Sequence, residues 1–312
     1  MRRVRLLMPL LCAGLLGSCG DAAKHKPAAG SATTQQPPAL SEDVAAFSGA
    51  RAYAHCAAIC ELGPRPTGSP AYAAQVDYLA RHLKQAGWQV RTEPFSPLPG
   101  RQMQNVHAVF GSATAPRPLL LSCQIDTKGQ GKEASLGAED GASGAAVLLE
   151  VARLLARTPA LAAQVELVFF DGEESFGKRM TYTDGLYGSR HDVKRRGSAL
   201  PRWMVNLDMV GGAGKTIGVP VYDTTVEMLE HYQKAIAALG LSEDRWSFYP
   251  GSYLDDHVPF WEAGVATLNL IAEFKDSIWW HTQKDDMRRI SPSSLEESGR
   301  MVMQLVNQLL GE

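Results

Sequence analysis

The amino-acid sequence predicts one α/β domain built around a mixed, mostly parallel sheet that is flanked by helices. Apolar segments with the length of strands alternate with amphipathic segments with the length of helices. Leu119–Cys123 and Val165–Phe170 are almost wholly apolar, as central strands buried on both faces should be. A helical pattern over about 143–156 lies between them. This strand–helix–strand order predicts that the two strands are parallel.

The other elements follow from apolar spacing and from the residues that begin or end them. A first helix should begin at the Ser41 cap and run to about Leu62, and Gly87 should end a second one. A last amphipathic helix should start at Ser291-Pro292, with Ser as its N-cap. In chain order the remaining predictions are a helix over about 71–86, strands at Gln89–Phe95 and Asn105–Phe110, strands at Met204–Met209 and Thr267–Ile271, and helices over about 224–239 and 257–263.

Length and charge limit the class of protein. With 312 residues and 45% hydrophobic content, the chain can bury a large core. Its 31 basic and 33 acidic residues nearly balance, and no basic block stands out. A nucleic-acid partner is therefore not expected.

The first 18 residues have the pattern of a signal peptide. Three arginines precede the apolar run Leu6 to Leu16, which is too short to span a membrane. The ending Leu16-Gly17-Ser18-Cys19 resembles a bacterial lipobox, which implies cleavage before Cys19 and lipidation of its thiol. An ordinary secretory signal with a coincidental cysteine is the alternative. The small residues before Cys19 favour the lipoprotein.

Three segments follow from this pattern. Residues 1–18 are the signal peptide, and residues 19–40, rich in Ala, Pro, Gln, Thr and Ser, should form a flexible tether. Residues 41–312 should form the α/β domain. We expect a protein of the bacterial cell envelope that faces the periplasm and contacts the membrane only through lipidated Cys19.

Two adjacent carboxylates, Glu173 and Glu174, follow the strand that ends at Phe170. Neighbouring carboxylates repel each other unless a positive charge lies between them or one is protonated. A divalent metal would resolve this, because one Glu could bind the metal while the other carries a proton. An ordinary solvated acidic turn is the commoner explanation for an isolated Glu-Glu pair. The other polar segments of the chain, described next, favour the metal.

Three other segments offer metal ligands or proton carriers. Asp140 lies among small residues just before a helix, where metal binding and simple helix capping fit the residues equally well. His281 follows two tryptophans, although a lone histidine is more often structural. Asp255 opens a helix, where carboxylates are common caps.

Polar residues follow four of the predicted strands. In open α/β sheets, ligands bind at the carboxyl ends of the strands, so these residues should meet in one site. They are Gln124 and Asp126, Glu173 and Glu174, Asp208, and the region between Asp255 and His281.

Together these segments resemble the zinc aminopeptidase family M28. The order Gln-Ile-Asp, Gly-Ala-Glu-Asp-Gly-Ala-Ser-Gly, Phe-Phe-Asp-Gly-Glu-Glu, Leu-Asp-Met and Trp-His-Thr is similar to that family. Asp184-Gly185-Leu186-Tyr187-Gly188-Ser189-Arg190-His191 and Asp255-Asp256-His257-Val258-Pro259-Phe260 resemble its zinc-dependent glutaminyl cyclase branch. The resemblance covers roughly residues 42–310 and implies an active site at the strand ends.

The resemblance implies a catalytic zinc site. Carried onto matching positions, it makes Asp140, Glu174 and His281 the ligands of one zinc ion per chain, with a fourth position open to substrate or water. It makes Glu173 the general acid/base.

The resemblance also implies the surroundings of that base. Asp208 and Asp255 would form a hydrogen-bonded carboxylate chain beside it, which needs a shared proton. Trp280 would form a wall of the substrate pocket, and Leu254 and Tyr182 would contact the substrate. Tyr182 belongs to a segment, Phe176–Thr183, that matches the animal cyclases poorly and is one residue longer.

One departure separates the branches of the family. Two-metal aminopeptidases of this family read His-x-Asp after the central strand, and that His binds the second metal. Here the position is Gln124, and a neutral amide oxygen is a poor zinc ligand beside imidazole. We therefore expect a mononuclear site.

The function that this resemblance implies is glutaminyl-peptide cyclisation. Peptides or proteins with N-terminal Gln would be converted to pyroglutamate with release of ammonia. The alternative is an M28-type zinc aminopeptidase, which would use Glu173 to activate a zinc-bound water. A peptide-binding lipoprotein without catalysis would predict a broken ligand set, but all three ligands and the base are present.

Overall fold

The two strands predicted to be central, Leu119–Gln124 (β3) and Val165–Phe170 (β4), lie side by side and parallel in the computed structural model. This structure describes residues 41–112, 115–129, 134–274 and 277–311. All twelve residues of the pair are buried, which explains why both strands are apolar on both faces. The signal peptide and tether predicted for residues 1–40 lie outside the described residues.

The described strands form one mixed sheet of eight. Its spatial order is β1-β2-β4-β3-β5-β8-β6-β7, with β4, β3, β5 and β8 mutually parallel in its centre. The antiparallel pairs β1/β2, β2/β4 and β6/β8 lie outside this centre. Besides β3 and β4, the strands are Gln89–Leu98 (β1), Arg101–Val109 (β2), Trp203–Asp208 (β5), Ile217–Pro220 (β6), Trp246–Tyr249 (β7) and Ala266–Ala272 (β8).

Helices cover both faces of the sheet. The larger core lies on the face covered by α2, α4, α7 and α9, and a smaller one, around Phe170 and Phe260, lies on the face of α6 and α8. The described α-helices are Glu42–Ala45 (α1), Gly49–Cys60 (α2), Pro70–Gln85 (α3), Gly144–Leu155 (α4), Pro159–Ala162 (α5), Tyr187–Arg196 (α6), Val226–Leu239 (α7), His257–Glu262 (α8) and Pro292–Leu310 (α9). None of them is long and apolar enough to cross a membrane.

The predicted fold class is confirmed, and one predicted helix is wrong in detail. Instead of one helix from Ser41 to Leu62, the chain breaks between α1 and α2. Ser48 caps α2 by accepting a hydrogen bond from the Arg51 N–H. The break places buried Phe47 against α9 at Gly299, where a Cβ would lie 2.0 Å from the ring. Tertiary packing therefore overrides a continuous helical pattern.

Several elements, among them α6, β6 and β7, lacked a sequence signal strong enough to predict them. The buried residues of α6 are Tyr187, Gly188, Ser189 and Asp192, so this helix has no apolar stripe. Strands β6 and β7 contain four residues each and lie at the edge of the sheet. Such short segments carry too few alternations to be distinguished from loops.

Candidate active site

The carboxyl ends of the central strands meet in one cavity of about 380 Å³. This volume is in the range of pockets that bind small ligands. Eight of the nine predicted site residues line it: Asp140, Glu173, Glu174, Asp208, Leu254, Asp255, Trp280 and His281.

Asp140, Glu174 and His281, here called the pocket triad, bring ligand atoms within 4.8 Å of one another. His281 Nε2 lies 3.3 Å from Asp140 Oδ2 and 3.1 Å from Glu174 Oε1. Burial would lower the pKa of His281, but hydrogen bonds to the two carboxylates and their negative charges raise this pKa to about 9. Such a field also attracts a divalent cation, and one imidazole nitrogen with two carboxylate oxygens suits zinc. The residues present therefore fit this metal.

Asp140 is presented by a wide turn, Ala138–Ser143, that precedes α4. The backbone of Asp140 is non-helical, with φ −90° and ψ 94°. Asp285 accepts hydrogen bonds from the N–H groups of Glu139 and Asp140, at 2.8 and 3.0 Å. In the described part of the chain, the Asp140 carboxylate accepts no hydrogen bond from the first turn of α4. Asp140 therefore does not cap α4 through a side-chain hydrogen bond.

Gln124 completes the surroundings of Asp140. The amide at the end of β3 donates from Nε2 to Asp140 Oδ1 at 2.7 Å, while the other oxygen, Oδ2, faces His281. Gly141, the residue after Asp140, has φ +103°, and a Cβ there would lie 2.7 Å from the Asp126 carbonyl oxygen. Only glycine permits both this conformation and this close approach.

Asp126 fixes the two adjacent glutamates by their backbone. Its carboxylate accepts hydrogen bonds from the N–H groups of Glu173 and Glu174, at 3.1 and 3.2 Å. On the other side, Lys128 Nζ donates to the Ser175 carbonyl at 2.5 Å and lies 3.5 Å from Glu174 Oε2. The backbone from which the two glutamate side chains project is therefore held on both sides.

Glu173 and Asp208 are buried carboxyl groups with perturbed acidity. Burial raises the pKa of Glu173 well above its usual range, and the neighbouring carboxylates, Glu174 first, raise it further. Burial and then the charge of Asp255 raise the pKa of Asp208 in the same way. In the described residues, buried Asp208 Oδ1 has no hydrogen-bond partner. Carboxyls in this state are candidates for proton transfer.

Asp255 is held by amides. Its Oδ1 accepts from Asn206 Nδ2 at 3.1 Å, and its Oδ2 accepts from Asn269 Nδ2 at 2.7 Å. Ser122 in turn donates to Asn206 Oδ1 at 2.6 Å. This network lies beneath the cavity and orients the Asp255 carboxylate. A hydrogen-bonded chain that joins Asp255 with Asp208 and Glu173 stays a prediction.

An aromatic wall borders the pocket triad. Trp280 stacks on His281 with ring centroids 3.7 Å apart, and Phe274 packs against Trp280 at 4.6 Å. His281 has φ +58° and Met209, directly after Asp208, has φ +54°. Left-handed backbone is uncommon for residues with side chains, and it often occurs at functional sites.

Tyr182 lies outside the cavity, contrary to the role expected for it. Its side chain is 69% exposed at the tip of a tight turn closed by backbone hydrogen bonds between Thr181 and Asp184. The residues of its segment that line the cavity are Lys178, Arg179 and Met180. The turn directs Tyr182 towards solvent.

Several residues that support the site were missed from the sequence. Asp126 had been noted only as a polar residue after a strand, and Asp285 and Lys128 not at all. Their signals were weak: an Asp two residues after β3, and an Asp four residues after His281. Each acts by holding backbone that carries a site residue, so its role depends on the folded geometry.

A mixed sheet with a histidine and carboxylates at its strand ends defines an α/β enzyme of the metallopeptidase type. The chain belongs to peptidase family M28, whose family model matches residues 105–306. The comparisons confirm the resemblance that the motifs indicated.

The similar proteins include curated glutaminyl-peptide cyclotransferases and solved structures of glutaminyl cyclases and of a Zn-dependent exopeptidase. The chain is 31% identical to the glutaminyl-peptide cyclotransferase-like protein of Mus musculus, over 79% of this chain and 72% of that protein. The structure of Porphyromonas gingivalis glutaminyl cyclase is similar with a TM-score of 0.75 and 26% identity, over 84% of this chain and 99% of that chain. A Zn-dependent exopeptidase from Parabacteroides distasonis gives a TM-score of 0.74 and 25% identity, over 83% and 98%.

Proposed function

We propose that this protein is a zinc-dependent glutaminyl-peptide cyclotransferase that converts N-terminal Gln of peptides and proteins to pyroglutamate and releases ammonia. Its curated relatives and several similar structures are glutaminyl cyclases. The observation that carries the choice within the family is the Gln124–Asp140 hydrogen bond. It occupies Asp140 Oδ1, so this oxygen would not be free to hold a second metal.

The pocket triad would hold one zinc ion. Bound there, zinc would polarise the γ-carbonyl of the substrate glutamine. The aromatic wall of Trp280 beside His281 would confine the glutamine side chain, and Leu254 lines the same cavity.

Glu173 would move the proton that the reaction requires. A new bond forms between the α-amino nitrogen and the side-chain carbonyl carbon, and the bond from that carbon to the amide nitrogen breaks. The amine must lose one proton and the departing nitrogen must gain one, so a single carboxylate can take and return it. Because nucleophile and electrophile belong to one molecule, the pocket need only hold the reactive rotamer. Asp208 and Asp255 border the same space and would share the negative charge.

The decisive experiment is to incubate the purified protein with a Gln-initiated peptide and weigh the product. Cyclisation loses ammonia and keeps every residue, whereas an aminopeptidase releases free glutamine. We expect the first outcome, and we expect a zinc chelator to abolish it. Release of glutamine would overturn the proposal in favour of the aminopeptidase.

The cell-envelope location is part of the proposal. The sequence Leu16-Gly17-Ser18-Cys19 supports lipidation of Cys19 and a position facing the periplasm, where proteins with N-terminal Gln would be substrates. Cys19→Ala should release the protein from the membrane fraction of bacteria that express it. A variant that stays in that fraction would contradict the lipid anchor.

A further inference from the structure

We propose that Lys178 and Arg179 form a cationic rim that selects Gln-initiated peptides with an acidic side chain in the first two positions after the glutamine. This inference rests on the proposed function and adds a substrate class to it. Both side chains line the same cavity as the pocket triad, and both are exposed.

The cavity has charge of opposite sign at its two ends. The carboxyl groups of Glu173, Asp208 and Asp255 lie at the buried end, each less than a tenth exposed. The solvent side carries Lys178 and Arg179. A groove that is negative inside and positive at its mouth orients a ligand with the opposite polarity.

The rim cations have no partner in the part of the chain that the structure describes, so they are available to a ligand. Within the described residues, neither Lys178 nor Arg179 forms an ion pair or a side-chain hydrogen bond. The nearby cations are engaged: Lys128 donates to Ser175 at 2.5 Å, and the Arg101 guanidinium lies 4.2 Å over the Phe176 ring. An unpaired cation at a pocket mouth can bind an anion without first losing a partner.

The segment that carries the rim is held in place. Asp184 accepts hydrogen bonds from the N–H groups of Phe176 and Gly177, both at 2.8 Å, and from the Tyr187 hydroxyl at 3.0 Å. Met180 packs so closely on Gly185 that a Cβ there would lie 2.8 Å from Met180 Cγ. Asp184 is the single acidic residue of this segment, and its carboxylate is occupied by backbone N–H groups of the same segment. Among the described residues, no acidic side chain pairs with the two cations at the cavity.

A Gln-initiated peptide with an acidic residue matches this arrangement. Its amino terminus would approach the buried carboxyls, where cyclisation takes place. An extended chain advances about 3.3–3.6 Å per residue, so the next one or two side chains would leave the cavity at its mouth. An Asp or Glu there would meet Lys178 and Arg179, whereas a Lys would be repelled.

The test compares three peptides that carry Glu, Ala or Lys at both positions after the glutamine, here called Gln-Glu, Gln-Ala and Gln-Lys, each followed by the same neutral sequence. Exposed ion pairs contribute modestly, so we expect kcat/KM for Gln-Glu to exceed that for Gln-Lys roughly tenfold at low salt. The difference should lie mainly in KM and should shrink with added salt.

A matched pair of double variants assigns the effect to the rim. Lys178→Ala with Arg179→Ala should remove the preference for Gln-Glu over Gln-Lys. Lys84→Ala with Lys234→Ala removes the same net charge from exposed positions on α3 and α7, and it should keep both activity and preference. Loss of the preference in the control variant would overturn the rim, because the effect would then be one of net charge.

The outcomes separate this inference from the function on which it rests. If none of the three peptides is cyclised, the proposed function fails and the rim fails with it. If all three are cyclised with equal kcat/KM, the function stands and only the rim is overturned.

Discussion

Among the described residues, two clusters each contain one histidine and two carboxylates with ligand atoms within 4.8 Å of one another. The two clusters differ in which groups balance the charge of their carboxylates. One is the pocket triad. The other, here called the arginine-paired cluster, consists of Glu93, His107 and Asp192 on β1, β2 and α6. From residue types alone, both would count as metal sites.

In the arginine-paired cluster, the protein supplies its own cations. Arg195 Nε lies 2.6 Å from Glu93 Oε1, and Arg196 Nε lies 2.7 Å from Asp192 Oδ2. His107 Nδ1 contacts Glu166 Oε1 at 2.9 Å. A metal would have to compete with guanidinium groups that already satisfy these carboxylates.

The pocket triad and its neighbours are arranged in the opposite way. Lys128 Nζ lies 3.5 Å from Glu174 Oε2, but no described lysine or arginine forms an ion pair with Asp140, Asp208 or Asp255. The pKa values of Asp208 and Asp255 are raised, by burial first. In the arginine-paired region, burial alone would raise the pKa of Glu166, but the His107 hydrogen bond and the Arg196 charge lower it to about 2. Carboxylates that the protein leaves without cations are therefore the better indicator of a metal or catalytic site.

The largest contrast should come from removing the histidine of each cluster. His281→Ala should lose zinc and all detectable cyclisation together, because two carboxylates alone hold zinc poorly. His107→Ala should keep zinc and turnover but lower the free energy of unfolding by about 1–3 kcal/mol, since it removes the buried imidazole that contacts Glu166 at 2.9 Å, while Arg195 and Arg196 still pair with the carboxylates. Metal analysis, product mass and denaturant unfolding measure the three quantities. A folded His107→Ala protein without zinc would contradict the assignment of zinc to the pocket triad alone.

Glu173→Gln should separate the metal from the base within the active site. The amide keeps the shape of the side chain but carries no titratable proton, so cyclisation should fall by about 10²–10⁴-fold. Zinc content and the denaturation midpoint should stay close to those of the parent. Near-normal turnover would show that another residue is the base, with Asp255 next in line.

Glu166 gives a pH-dependent test of the arginine-paired region. Its pKa is about 2 in the folded protein against 4.5 in its reference state, so its stabilising contribution is present above pH 4.5 and is lost as the pH falls through 2. The lost contribution is about 3 kcal/mol, from 1.36 kcal/mol per pKa unit. Unfolding of the parent and of Glu166→Gln should therefore differ most above pH 4.5. A difference that does not change with pH would show that the Arg196 and His107 contacts do not stabilise the charge.

The sequence predicted the centre of the fold because burial there leaves little freedom. β3 and β4 are apolar on both faces, and their parallel pairing follows from the helix between them. α6 could not be predicted in this way, since it buries Gly188, Ser189 and Asp192 rather than an apolar stripe.

The candidate site was predicted to a similar degree. Residues that would touch metal or substrate are recognisable by their chemistry, and eight of them line one cavity. Asp285 and the role of Asp126 could not be recognised, because both residues act by accepting hydrogen bonds from backbone N–H groups at other positions. Tyr182 was assigned by its aromatic character, and only the turn between Thr181 and Asp184 decides that it faces solvent.

The smallest expected effect tests why the pocket triad should hold one metal only. Gln124→His would remove the amide that donates to Asp140 Oδ1 and place an imidazole at the end of β3. Imidazole is a better zinc ligand than an amide oxygen, and Asp208 Oδ1 lies buried in the same cavity without a hydrogen-bond partner in the described residues. A second zinc should therefore bind, at least weakly, and occupy space beside the reacting amine.

Excess zinc should consequently inhibit cyclisation by Gln124→His several-fold more strongly than by the parent. Gln124→Ala is the matched control, because it also loses the hydrogen bond to Asp140 but offers no ligand. The measurements are zinc stoichiometry and cyclisation rate across a zinc titration. If Gln124→His still binds one zinc and responds to added zinc as Gln124→Ala does, the identity of residue 124 does not decide the number of metals. The single-metal character would then have to come from the carboxylates themselves, with Asp208 committed to the proton of Glu173 and not to a metal.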